Sequence, residues 1–340
     1  MDKKKYDLIF VTNLPSFYKI NLYNRINEKR RVFIIFTGDT AEVRNKDFFS
    51  GDYQFEFVHF SKETAWEKAR KAHKIVKSLE YMELVIGGWD SITLWYLAFM
   101  CPRVKNSVVI ESSYLESTTK SIRGMLKRIF LKRIKKAYVP GKSNAKLLQQ
   151  LGFKNDIIMT KGVGIFNIVQ QPEFSKRDRV KNFLYVGRLS PEKNLFALIE
   201  AFNDLPNLTL NIVGFGPLED KIKTYISKNI NYLGAVNNKQ LPEIYKNNDV
   251  FILPSLSEVW GLVIEEALNN GLPVIASNYV GCGEEIINDH NGIIFSLEVE
   301  NDLKNSIIRM TDIDYYNRMR KNISEYNFYE IAEEQVNSYL

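Results

Sequence analysis

Cysteine is scarce: Cys101 and Cys282 are the only two in 340 residues, one in each half. A pair so far apart argues against a disulfide framework and for a reducing compartment. Histidine is nearly as rare, and His59, His73 and His290 show no metal-ligand spacing. No uncharged run approaches the roughly twenty residues that a membrane-spanning helix requires. The apolar run inside the basic start "MDKKKYDLIFVTNLP" is about seven residues, too short for a secretory signal. Pro/Ser-rich linkers, heptad arrays and repeats of fixed period are missing, which excludes disordered and solenoid classes. These absences together predict a soluble cytoplasmic protein.

What is present suits two domains. A chain of 340 residues with 45% apolar and 13% aromatic residues exceeds most single cores and suits two of roughly 150 residues each. Charge is uneven: residues 1–170 carry 30 Lys/Arg against 16 Asp/Glu, a balance of +14, whereas residues 171–340 carry 16 against 24, or −8. The basic half therefore predicts an anionic partner surface, whose sign alone does not separate nucleic acid from lipid.

Short apolar runs alternate with amphipathic stretches in both halves. The first half offers strands at 6–12, 31–37, 53–59, 83–88 and 107–112, with weaker runs at 137–140 and 156–160. The second offers 183–187, 208–214, 230–234, 249–254, 273–277 and 292–295. Continuous Val/Ile/Leu/Phe runs read as parallel strands covered on both faces. Two doubly wound α/β domains follow, joined within 167–182 and divided at 170/171, with a closing helix at the C-terminus. In such sheets ligands bind beyond the carboxyl ends of the strands, and two facing domains would make their cleft the default site.

The loops after the second-half strands carry the candidate chemistry. In "GRLSPEKN", Gly187 allows a tight turn, and Arg188 and Lys193 place two cations at one rim, suited to a diphosphate. A salt-bridged surface turn is the plainer alternative. In "VGFGPLEDKI", Gly214, Phe215 and Gly216 permit close approach of a ring or phosphate, although an ordinary strand-to-helix turn also fits. In "SEVWGLVIEEALNNGLPVIAS", Trp260, Gly261 and Leu262 should begin a helix running to Asn270, whose first amides are free for phosphate oxygens. Glu266, further along that helix, can accept from a ribose diol, and Glu258 from sugar hydroxyls. Glu265 reads as a capping or solvated carboxylate.

These segments, "YVGRLSPEKN", "IVGFGP", "YLGAV", "DVFILPSLSEVWGLVIEEALNNGLPVIAS", "GCGEEII" and "NGIIF", resemble in order and spacing the donor domain of the retaining glycosyltransferases of family four. The likeness covers about 183–295, and Glu258 and Glu266 meet its E-x7-E pattern. It implies the GT-B fold, with an acceptor-binding domain at 1–170, a donor-binding domain at 171–325 and a helix at 326–340 packing back on the first. It implies a nucleoside-diphosphate sugar as co-substrate, Arg188 and Lys193 on its diphosphate, Glu266 on its ribose and Glu258 on its sugar. It also implies hexosyl transfer with retention, as in bacterial surface-polysaccharide assembly (capsule, O-antigen or related), with a UDP-sugar favoured.

The first half departs from the family pattern. "VTNLPSFYKINLYNRI" stands where relatives have a glycine-rich loop, and "VVIESSYLES" puts Glu111 and Ser112 where many have a histidine. Tyr18, Lys19, Asp90 and Glu111 are the acceptor-side candidates, with a helix N-cap as the alternative for Asp90. No metal or cofactor is expected, since the only D-x-D, Asp312 to Asp314, reads as a helix start.

The segment "SIRGMLKRIFLKRIKKAYVP" has eight basic residues and no acidic one between Lys120 and Lys136. Ile122, Met125, Leu126, Ile129, Phe130 and Ile134 fall on one helical stripe. Residues 120–136 are thus a candidate for an anionic membrane surface, at the inner face of the plasma membrane, unless the stripe packs on the first sheet. Nucleic acid is not expected, because aromatics are not interleaved and no such module is visible. The predicted function is transfer of a sugar to a glycan or lipid-linked acceptor hydroxyl. The rivals are a nucleotide-sugar epimerase and a non-catalytic nucleotide-sugar-binding subunit.

Overall fold

The run "KYDLIFVT" forms β1 (Lys5–Thr12), nearly all of it buried because neighbours cover both faces. It begins a regular alternation: α1 (Phe17–Asn27), β2 (Val32–Phe36), β3 (Glu56–His59), α2 (Ala65–Ser78), β4 (Glu80–Ile86) and α3 (Ile92–Met100). Then follow β5 (Asn106–Val109), α4 (Ile122–Leu131), β6 (Lys136–Val139), α5 (Lys142–Gln150) and β7 (Asp156–Met159). All pairings are parallel, in the order β3-β2-β1-β4-β5-β6-β7. The computed structural model describes residues 3–38, 49, 51–114, 117, 119–162, 164, 165 and 168–340.

The second sheet repeats the plan: β8 (Asn182–Val186), α6 (Leu195–Asn203), β9 (Thr209–Val213), α7 (Glu219–Tyr225), β10 (Ile230–Gly234), α8 (Leu241–Lys246) and β11 (Val250–Leu253). Next come α9 (Leu262–Asn269), β12 (Val274–Ser277), α10 (Gly283–Ile286), β13 (Gly292–Phe295), α11 (Asp302–Met310), α12 (Ile313–Ser324) and α13 (Phe328–Asn337). Its parallel order is β10-β9-β8-β11-β12-β13. Asp312 caps α12 by accepting from the Tyr315 amide at 2.9 Å, so the D-x-D is a helix start. The chain divides into two compact units, residues 1–166 with 332–340, and residues 167–331.

Side-chain alternation splits the core of the first unit into two layers. Ile9 and Val11 of β1 face Leu94 of α3 and Phe130 of α4. Leu8 and Phe10 face Ile20 of α1 and, from the end of the chain, Val336 and Tyr339. The terminal segment belongs to this layer because Tyr339 stacks on Tyr138, with centroids 4.6 Å apart and planes at 25°. Glu333 adds ion pairs to Arg25 at 2.8 Å and Lys29 at 2.5 Å.

In each sheet the strand order reverses once, between β1 and β4 and between β8 and β11. Diverging loops leave a crevice at such a switch point, beyond the carboxyl ends of the two strands.

Three local expectations need correction. Ser91, not Asp90, caps α3, its hydroxyl accepting from the Leu94 amide at 3.4 Å. The basic stripe is not one buried face: α4 ends at Leu131, Phe130 and Ile134 are fully buried, and Ile122, Met125, Leu126 and Ile129 stand exposed. The helix after β11 starts at Leu262, with Gly261 as its cap at φ 99° and Trp260 outside it. Among the described residues no helix is long and apolar enough to cross a membrane.

Candidate functional site

At the β8/β11 switch point the turn after β8 is fixed from inside. The buried Tyr185 hydroxyl donates to the Arg188 carbonyl at 2.8 Å. A Cβ at Gly187 would stand 2.6 Å from that hydroxyl, so only glycine lets the turn close. Pro191–Lys193 form a single 3₁₀ turn, and Asn194 (φ 55°) passes the chain into α6. The loop after β11 docks on this turn through the Leu256 amide, which donates to the Glu192 carbonyl at 2.8 Å.

That docking brings Lys193 and Glu258 into direct ion pairing, their side chains only 16% and 20% exposed. The Glu258 backbone is pinned to the 279–281 turn: its amide donates to the Tyr279 carbonyl, and its carbonyl accepts from the Gly281 amide. Arg188 is exposed, close enough to Glu192 to act on its charge. Burial opposes charge on Glu192, but the Ser190 hydroxyl, with Lys193 and Arg188 nearby, holds it below the usual carboxylate range. Arg188, Glu192, Lys193 and Glu258 therefore share one patch at the switch point.

Gly261 lies against the same patch. A Cβ there would meet Val280 Cγ1 at 2.9 Å, Cys282 Sγ at 3.4 Å and Glu258 Cγ at 3.5 Å. Gly261 caps α9 with a left-handed backbone, and as first-turn donors the Gly261 and Leu262 amides have no helical acceptor. Trp260 is enclosed, its indole donating to Glu265 at 2.5 Å, and Glu265 is 2% exposed. Glu265 is thus neither solvated nor a surface cap: with its bonded indole it braces the start of the helix.

Glu266 projects elsewhere. Its carboxylate accepts from the Tyr245 hydroxyl of α8 at 3.2 Å, and burial raises its pKa to about 7 despite that bond. Tyr245 is a site-shaping residue with no signature in the sequence, because α8 and α9 meet only in the fold.

Gly214 and Gly216 are needed for packing of loop on loop. A Cβ at Gly214 (φ 140°) would stand 1.8 Å from the Gly187 carbonyl oxygen, and one at Gly216 2.5 Å from that of Leu189. Their missing side chains are occupied by neighbouring backbone, with Leu189 donating to the Phe215 carbonyl at 2.9 Å. They pack the β8 and β9 loops together and so fix where Arg188 is displayed.

The first unit has its own crevice at the β1/β4 switch point, a cavity of about 520 Å³. Tyr18, Lys19 and Asp90 line it, with Asn13, Ser16 and Lys68. Asn13 donates to Asp90 at 3.0 Å, and Lys68 to the Thr37 carbonyl at 2.9 Å. Lys19 donates to Thr12 at 3.3 Å and pairs with Glu111 at 3.5 Å. Burial works against the Lys19 charge, but Glu111 leads the opposing interactions and its pKa rises on balance. Ser16 is 1% exposed, and its hydroxyl has no hydrogen-bond partner among the described residues. Balanced charges and an unpaired hydroxyl suit a neutral polyhydroxyl compound better than a bare ion. Among the described residues no group of three or more His, Cys, Asp or Glu could hold a metal.

Two Rossmann-like parallel sheets, each carrying polar loops at its strand-order reversal, define an α/β protein of the GT-B type. Residues 167–328, nearly all of the second unit, match the family model described as "Glycosyl transferases group 1".

Over 152 residues the chain is 36% identical to the UDP-Gal:alpha-D-GlcNAc-diphosphoundecaprenol alpha-1,3-galactosyltransferase of Escherichia coli, spanning 41% of this chain and 39% of that protein. It is 29% identical over 191 residues to an uncharacterized 41.2 kDa protein in the cps region of Klebsiella pneumoniae, 52% of this chain and 53% of that protein. The matches thus span about half or less of these relatives.

Solved structures match over nearly the full length. Anabaena HepE in complex with UDP superposes with a TM-score of 0.73 at 15% identity, covering 98% of this chain and 99% of that one. The lipopolysaccharide outer core galactosyltransferase WaaB gives 0.69 at 16%, covering 98% and 100%.

Proposed function

We propose that this protein transfers a hexosyl group from a nucleoside-diphosphate sugar, UDP-linked by preference, to a hydroxyl of a glycan or lipid-linked acceptor. The setting is bacterial surface-polysaccharide assembly at the cytoplasmic face of the membrane, and the stereochemical course is retention. One observation carries the reading: the β8/β11 switch point gathers a guanidinium, a lysine, a carboxylate and the amino end of a helix in one patch. The UDP named in the HepE complex and the UDP-galactose and lipid diphosphate named for the Escherichia coli relative favour this choice of donor and acceptor.

As the glycosidic bond breaks, negative charge grows on the departing diphosphate. Arg188 grips it as a fork, Lys193 as a point charge, and the Gly261 and Leu262 amides donate to the remaining oxygens. Glu258 takes hydroxyls of the donor sugar and Glu266 the ribose diol. The cavity at the β1/β4 switch point holds the acceptor sugar, with Asp90 and Ser16 on its hydroxyls. The catalytic groups are Arg188, Lys193 and Glu258, and metal is not required. The basic α4 segment, residues 120–136, rests on anionic lipid with Ile122, Met125, Leu126 and Ile129 toward the acyl chains.

A thermal-shift screen over nucleoside-diphosphate sugars tests the proposal. A bound donor raises Tm in step with the logarithm of its saturation. Stabilisation by at least one UDP-sugar, reduced in Glu266→Ala, is expected; no shift with any nucleotide sugar at millimolar concentration would end it.

A further inference from the structure

Beside the polar cavity of the first unit runs a second depression, about 490 Å³, walled by Trp66, Trp89, Ile92, Trp95, Tyr96 and Phe99. Asp90 and Ser91 line both, so the two adjoin at the start of α3. Trp66 is 56% exposed, Ile92 45% and Phe99 44%, an unusual concentration of large apolar side chains on one surface. The rings form a built wall: Trp95 and Phe99 lie parallel within 6°, centroids 6.2 Å apart, and Trp66 meets Tyr96 edge-on at 6.3 Å. The Trp95 indole is locked by donating to the Trp89 carbonyl at 2.8 Å. A sugar seated here would leave most of its hydroxyls without partners, whereas an apolar chain would not.

Cations stand along the groove, whose described lining carries a single carboxylate, that of Asp90. Lys127 sits 4.6 Å from the Trp89 ring centroid, half-buried, and among the described residues its ammonium bonds the Ser117 hydroxyl at 3.1 Å. Arg123, one turn before it on α4, has no partner among the described residues. Arg133 packs 5.7 Å from the Phe99 ring. Burial, and then Arg123, push the Lys127 pKa down, as befits positive charge lacking its counter-ion.

The geometry points to a binding site for the apolar chain of an isoprenoid-diphosphate-linked acceptor, its chain in the aromatic groove, its diphosphate on Lys127 and Arg123, and its sugar in the adjoining cavity. This rests on the transferase reading above and narrows its acceptor to lipid-linked glycans. An apolar groove adjoining a polar cavity at Asp90 and Ser91, with the cations of Lys127 and Arg123 alongside, matches such an amphiphile segment by segment.

Three of the four tryptophans wall the groove, so intrinsic fluorescence reads it directly. Farnesyl diphosphate titrated into the full chain should change emission saturably, and inorganic pyrophosphate should not compete until far higher concentration. Trp66→Ala and, separately, Ile92→Asp should each raise the apparent Kd for farnesyl diphosphate at least tenfold. Both positions are exposed, and the UDP-induced thermal shift should stay as in the wild type. A saturable response lost in both variants supports the site even if UDP fails to bind, which would defeat the transferase reading alone. UDP stabilisation without a farnesyl diphosphate response would overturn the inference. So would equal sensitivity of both variants in binding to phosphatidylglycerol vesicles with no response to the soluble diphosphate, which would make the groove a bilayer contact.

Discussion

Lys193 and Glu258 neutralise each other in a largely enclosed pair. On the proposed function, a diphosphate arriving beside them would draw the ammonium toward new oxygens and free a carboxylate for hydroxyls. Removing only Lys193 leaves Glu258 uncompensated, at a cost of about 1–3 kcal/mol. Lys193→Met should therefore lower Tm modestly and cut UDP release from the donor at least a hundredfold. Lys193→Met with Glu258→Gln should restore Tm in calorimetry but not turnover; recovery of both would deny the pair any catalytic role.

Glu266 makes a pH prediction. Its carboxyl keeps its proton to about 7 in the fold, against 4.5 as its ordinary value. Between those values the folded state binds more protons than the unfolded one, so this group's contribution to stability falls as pH rises from about 4.5 through 7. Glu266→Gln carries no such penalty and should be more stable than the wild type at pH 8, by on the order of 2 kcal/mol, and equal near pH 5. Scanning fluorimetry at the two pH values decides. The residue types of Arg188, Lys193, Glu258 and Glu266 were legible because they follow strand ends. Tyr245 and the Trp260–Glu265 bond were not, since both depend on which loop folds over which.

Elements were read with most success where burial is two-sided. Strands such as "DVFILP" stand out because a parallel strand covered on both faces needs no polar position, and β11 forms within that run. Helical periodicity was less informative: it placed the α4 stripe but not the direction of the sheet. The helix stops at Leu131, and Arg133 beyond it bonds the carbonyls of Ala98, Phe99 and Cys101, each at 3.2 Å. Ile122→Ser with Met125→Ser should leave Tm within about 2 °C, since exposed positions contribute little to the core. The same pair should weaken cosedimentation with phosphatidylglycerol vesicles; undiminished binding would remove α4 as the membrane contact. At the glycine loops the expectation is opposite. Gly214→Ala forces a Cβ against the Gly187 carbonyl at a φ of 140° and should cost about 2–4 kcal/mol by denaturant titration.

On the scale of the whole molecule, charge and chain path are the informative features. A half with a balance of +14 beside one with −8 predicts steep salt dependence for anionic lipid and little for the nucleotide site. Vesicle binding at 50 and 300 mM NaCl should differ severalfold while UDP-induced stabilisation barely changes. The chain path predicts that Tyr339→Ala, which empties a place between Phe10 and Tyr138, costs about 3 kcal/mol.

Because residues 332–340 complete the first unit, the polypeptide passes between its two units twice, near 166 and near 331. A protease cut within 170–180 would consequently not yield two independent pieces. The amino-terminal fragment would lack part of its own core, and the other fragment would carry that part at its far end. Such halves should remain associated after nicking and reassemble when mixed, so the protein lends itself to division at that point into a complementing pair.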